Sequence, residues 1–86
     1  MLIYVYDIKI KDKKVLNNIK RRFYYNLNRK FYNKIKRYSK SVIGIDNSYE
    51  KELDSFLNSF RDYLDVYKLD VSKIEKILEV NPVSYQ

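Results

Sequence analysis

Eighty-six residues suffice for one compact domain and are too few for two. A chain of that size buries only roughly 60% of its unfolded surface, so a symmetric partner would add core and a homodimer is expected. The absence of cysteine and histidine excludes disulfide scaffolds, zinc fingers, thiol nucleophiles and imidazole bases. Chemistry is left to carboxylate, hydroxyl, Lys, Arg and Tyr, a set suited to hard-metal catalysis through Asp or Glu, or to no catalysis. A composition of 45% hydrophobic and 34% charged residues describes a folded soluble domain. The apolar start Met1 to Tyr6 meets Asp7 at once, so neither a membrane span nor a signal peptide is read, and a cytoplasmic location is expected.

Charge is segregated along the chain. Residues 1–44 carry thirteen Lys or Arg against Asp7 and Asp12, net +11, and residues 45–86 carry five against nine, net −4, which sum to +7. One basic surface follows, and its common partner is a phosphate backbone, DNA or RNA. The alternative is that Lys-rich surfaces keep a small domain in solution. The basic segment lacks the broad apolar face that membrane insertion requires.

In chain order, Leu2 to Tyr6 is apolar and rich in β-branched and aromatic residues, as in a buried central strand with Asp7 at its C-terminal end. Asp12 is an N-cap candidate, and Leu16, Ile19, Phe23, Leu27 and Phe31 then recur at three and four, which predicts an amphipathic helix. Lys34 to Asp46 loses that period and reads as extended, either one bent strand or a tight hairpin. Gly44 marks a bulge, a bend or a close backbone approach. Asn47 with Glu50 resembles a capping box before a second helix with the stripe Leu53, Phe56, Leu57, Phe60 and Leu64. Asp65 to Val71 alternates as a half-buried strand. Ile74 to Val80 fits either a helix or a last strand added to a partner's sheet. Residues 1–71 are therefore read as one α+β domain of ferredoxin-like βαββαβ order, and residues 72–86 as a C-terminal extension that suits pairing with a partner subunit.

The candidate phosphate contacts are Lys13, Lys14, Lys20, Arg21, Arg22, Arg29, Lys36 and Arg37. Tyr24, Tyr25, Tyr32 and Tyr38 are interleaved with them and form either a base-stacking surface or core and interface. Asp7 is the candidate catalytic and metal-binding residue. Across a two-fold axis, two copies of it would hold one Mg²⁺ with waters and phosphate oxygens, whereas in isolation it would cap a turn or pair with Lys9. Ser41 is placed to orient a phosphate or a water, or else is an ordinary turn serine.

The run Ile3-Tyr4-Val5-Tyr6-Asp7-Ile8, the basic helix, Ser41-Val42 before an acidic helix, and Val66-Tyr67-Lys68-Leu69 resemble the small CRISPR-associated protein of the Cas-two type. They also resemble its relative, virulence-associated protein D. The first resemblance implies a ferredoxin-like homodimer that holds duplex DNA on its basic surface beside the Cas-one integrase during spacer acquisition. Some members act as metal-dependent endonucleases, with the aspartate matching Asp7 on Mg²⁺. The second resemblance implies an Mg²⁺-dependent endoribonuclease. The chain departs from the first family where Ser-Val-Phe-Glu-Gly becomes Ser41-Val42-Ile43-Gly44. A third class is a non-catalytic protein-interaction module whose strand edge or C-terminal tail docks a larger partner.

Overall fold

The computed structural model describes residues 1–78. Its elements are β1 (Leu2–Ile8), α1 (Lys13–Lys30), β2 (Ile35–Ser39), β3 (Val42–Ile45), α2 (Glu50–Asn58) and β4 (Leu64–Asp70), with a 3₁₀ turn at Asn47–Tyr49 ahead of α2. The four strands form one sheet in the order β2-β3-β1-β4, and every neighbouring pair is antiparallel. A small α+β domain with this strand order is compatible with the ferredoxin-like arrangement.

Period decides which face of the sheet is covered. Leu2, Tyr4 and Tyr6 of β1 join Ile43 and Ile45 of β3 in a core with Ile19, Phe23 and Leu27 of α1 and Leu53, Phe56 and Leu57 of α2. Both helices thus pack on one face, which leaves the alternate residues Ile3, Val5 and Asp7 on the other. The register sets Leu69, Tyr67 and Asp65 of β4 opposite those three, so all six share the open face. Asp12 caps α1 as expected: its Oδ1 accepts from Lys14 N at 2.8 Å and Val15 N at 3.2 Å.

Residues 35–45 form a hairpin, the second of the two alternatives. Gly44 is a close approach and not the bulge, for the register shift lies in β2 between Arg37 and Ser39. A Cβ at position 44 would stand 2.8 Å from Cε2 of Tyr38 and 3.2 Å from Cδ1 of Ile3. The missing side chain lets the Tyr38 ring lie down on the open face, and this shelters Ile3.

Several boundaries differ from the sequence reading. The cap before α2 is Asp46, not Asn47: Asp46 Oδ2 accepts from Ser48 N at 3.0 Å, and the chain enters α2 through the 3₁₀ turn. Hydrogen bonding to that carboxylate lowers its pKa. α2 stops at Asn58, so Leu64 belongs to β4 and Phe60 to the connecting turn. β4 is exposed beyond Leu64 and not half-buried, because it lies at the edge of the sheet and nine-residue α2 is too short to cover it. β1 continues through Asp7 to Ile8, held there by β4. Within 71–78 the chain is neither helix nor strand, and Ile74, Ile77 and Leu78 are exposed. The remainder of the expected C-terminal extension, residues 79–86, which includes the end of the Ile74 to Val80 element, lies outside the described residues. Among the described residues no helix is long and apolar enough to cross a membrane.

Candidate nucleic-acid interface

Between Asp12 and Asp46 there are eleven Lys or Arg and no acidic residue. This stretch folds into α1, the turn after it, and the β2–β3 hairpin. Apolar spacing points Ile19, Phe23 and Leu27 inward and so turns the cations of α1 to solvent. Lys13, Lys14, Lys20, Arg21, Arg22 and Arg29 on α1 are all exposed, as are Lys36 and Arg37 on β2. Among the described residues the ion pairs involve Lys9, Lys68 and Lys73, and none of the eight candidates is joined to a carboxylate. Their charge is available to an outside anion. Arg29 and Lys30 also sit in the last turn of α1, where the helix dipole favours cations.

The hairpin is latched to the helix by a polar cluster. The Lys40 carbonyl accepts from Tyr6 Oη at 2.8 Å, from Tyr24 Oη at 3.0 Å and from Arg37 Nη1 at 3.3 Å. Arg37 also donates to Tyr6 Oη at 3.2 Å and lies over the Tyr24 ring, 5.4 Å from its centroid. Arg37 is thus partly structural, although exposed. Burial pushes the Tyr6 phenol up to about 12, opposed by the Arg37 hydrogen bond. Lys36 sits 5.3 Å from the Tyr38 ring centroid.

Opposite charge gathers on the other flank. Lys68 of β4 donates to Glu50 at 2.9 Å and to Asp54 at 2.5 Å, and Tyr4 Oη donates to Asp54 Oδ1 at 2.6 Å. These carboxylates raise the Lys68 pKa, and burial followed by the Asp54 hydrogen bond raises that of Tyr4. The cluster ties β1, β4 and α2 together. Nothing in the sequence pattern announced it, since Tyr4 and Lys68 meet only through strand register.

Asp7 is exposed on the open face, and Lys9 Nζ lies 3.0 Å from its Oδ2. Directly opposite in the β1–β4 ladder stands Asp65, whose Oδ2 is 4.0 Å from the same ammonium. Sequence reasoning passed over Asp65, and the antiparallel register is what would have found it. Hydrogen bonding to Asp7 raises the Lys9 pKa. Asp7, Asp65, Tyr67 and Ser41 share one cleft of about 470 Å³. Two carboxylates with room for water suit Mg²⁺, which commonly takes one or two protein carboxylates and keeps several waters. Among the described residues no third acidic side chain joins them, and Lys9 offsets one of the pair's two negative charges, so a divalent ion would have to displace it.

No family model, no curated protein and no solved structure matches this chain.

Proposed function

We propose that this chain is a nucleic-acid-binding subunit of the CRISPR spacer-acquisition type, a cytoplasmic homodimer that holds duplex DNA along α1 and β2 beside a Cas-one integrase. The observation that carries the reading is the acid-free run from Lys13 to Ile45, whose candidate cations are exposed and, among the described residues, not ion-paired. An 18-residue helix extends about 27 Å, long enough to follow several phosphates. A dimer fits the same geometry. Val5, Tyr67 and Leu69 offer apolar area on the open face, and a partner there leaves α1 free on the other side.

Fluorescence anisotropy of labelled duplex DNA across a salt series tests this. The quadruple variant Lys20→Gln, Arg21→Gln, Arg22→Gln, Arg29→Gln should weaken binding and reduce the slope of log K against log salt by about 3 to 4. Unchanged affinity and slope would make the basic surface a solubility device.

A second reading is favoured by the pairing of Asp7 with Asp65: an Mg²⁺-dependent endonuclease, or an endoribonuclease of the virulence-associated protein D type. Bound there, the metal would activate water and stabilise charge on the phosphoryl oxygens. Duplex DNA and single-stranded RNA incubated with Mg²⁺ or with chelator separate the two readings. Metal-dependent cleavage that vanishes in Asp7→Asn, with binding retained, selects the nuclease; binding without cleavage selects the DNA-holding subunit. Among the described residues the outer edge of β4 is unpaired, which also suits strand addition by another protein, the non-catalytic alternative.

A further inference from the structure

We propose that the solvent-facing stripe of α1, together with the turn after it, is a stacking surface for single-stranded nucleic acid, with Tyr25 and Tyr32 as base platforms and Arg21 and Arg29 as phosphate contacts. The inference rests on the reading that α1 faces nucleic acid and extends it from duplex phosphates to unpaired bases.

The fold sorts the four tyrosines of the basic segment into two classes. Tyr24 is committed: its ring packs 5.2 Å from Phe23, its hydroxyl donates to Lys40, and Arg37 lies over it. Tyr38 is committed as well, over Gly44, with its hydroxyl on Met1 Sδ at 3.6 Å and Lys36 over its ring. Tyr25 and Tyr32 are 63% and 75% exposed. Among the described residues neither has a hydrogen-bond, ring or cation partner.

Their surroundings choose the occupant. Arg21, Tyr25 and Arg29 stand at successive intervals of four on α1 and form one stripe, with the exposed amides of Asn18 and Asn28 beside it. Tyr32 follows just past the helix, next to Asn33 and Lys34. Seven cations and no acid in an 18-residue helix make this surface complementary to a polyanion. A polyanion that also gains from two exposed rings must offer flat apolar faces. Bases in a duplex are already stacked on one another, so only unpaired bases present theirs, and alternating phosphates and bases match alternating Arg and Tyr. Helices cover the side of the sheet opposite the open face, so dimerisation through the open face leaves the stripe accessible.

The test compares labelled oligothymidine, an abasic phosphodiester strand of the same length, a duplex and a polyglutamate peptide. Tyr25→Ala/Tyr32→Ala should bind oligothymidine about a hundredfold more weakly, roughly tenfold per ring. Its affinity for the abasic strand and the duplex should stay within about twofold, with an unchanged salt slope. Tyr25→Phe/Tyr32→Phe should restore binding, since stacking needs the ring and not the hydroxyl. Equal melting temperatures establish that both variants fold. Wild-type affinity of the Ala variant for oligothymidine, or equal binding of oligothymidine and the abasic strand, overturns the inference while duplex binding stands. A tyrosine-dependent preference for polyglutamate overturns it in favour of an acidic protein partner. Failure of the wild type to bind any nucleic acid overturns this inference and the proposed function together.

Discussion

At the scale of single residues, the Lys40 carbonyl is the point where three elements meet. Tyr6 brings β1 to it, Tyr24 brings α1, and Arg37 reaches it from β2. Loss of one hydroxyl from such a cluster should cost about 1 kcal/mol. Tyr6→Phe should therefore lower the urea midpoint at neutral pH, and it also carries a pH signature. Burial raises the Tyr6 phenol from its ordinary 10 to about 12, so the folded state disfavours its phenolate. The stability this group contributes is complete below pH 10 and is lost as pH rises toward about 12. Wild type and Tyr6→Phe should converge across that window when urea midpoints are measured at a series of alkaline pH values. A constant gap would show that Tyr6 does not titrate with folding. That Tyr6 would be buried was legible from its place in an apolar strand; its side-chain partners were not, because they lie 17 to 34 residues further along the chain.

Between elements, the docking of the helices rests on phenylalanine. All four of the chain's phenylalanines are buried together. Phe56 of α2 lies 5.7 Å from Phe23, 5.9 Å from Phe31 and 5.5 Å from Phe60, ring centroid to centroid. Phe56→Ala should cost about 3 to 5 kcal/mol, a large part of the stability expected of a domain this small. Loss of near-UV circular dichroism and a sharply lower urea midpoint would report it, and a cost under about 1 kcal/mol would mean that α2 is held mainly by its polar ties to Lys68 and Tyr4. Helical period made α1 and the buried positions of α2 readable. It also carried the stripe on to Leu64, since Phe60 and Leu64 keep the spacing of a helix that has already ended. Pattern alone cannot see that a strand to pair with β1 must begin there.

Across the whole molecule, the dominant feature is charge segregation. The acid-free run from Lys13 to Ile45 occupies one helix and one hairpin, and the carboxylates Glu50 and Asp54 close over Lys68 on the other flank. Like charges crowded on one surface repel, and salt screens them over about 10 Å at 0.1 M. Without nucleic acid, the melting temperature should rise by about 4 °C between low and moderate salt, the equivalent of ~1 kcal/mol. If the chain binds duplex DNA as proposed, the same salt should remove the stabilisation that bound DNA confers, so the two dependences should have opposite sign. A melting temperature that falls with salt in the free protein would mean that attraction between the two halves outweighs repulsion within the basic one.

The sequence by itself determined the element order, the inward face of α1, the cap at Asp12 and the existence of a basic surface. Each depends on neighbours within a few residues or on composition alone. Only the tertiary structure decided which cations and rings that surface leaves unengaged, that Asp7 faces Asp65, that Gly44 yields space to Tyr38, and that β4 is an exposed edge. Those outcomes follow from strand register and from the reach of a short α2. Both are fixed by contacts between residues far apart in the chain, which no local period encodes.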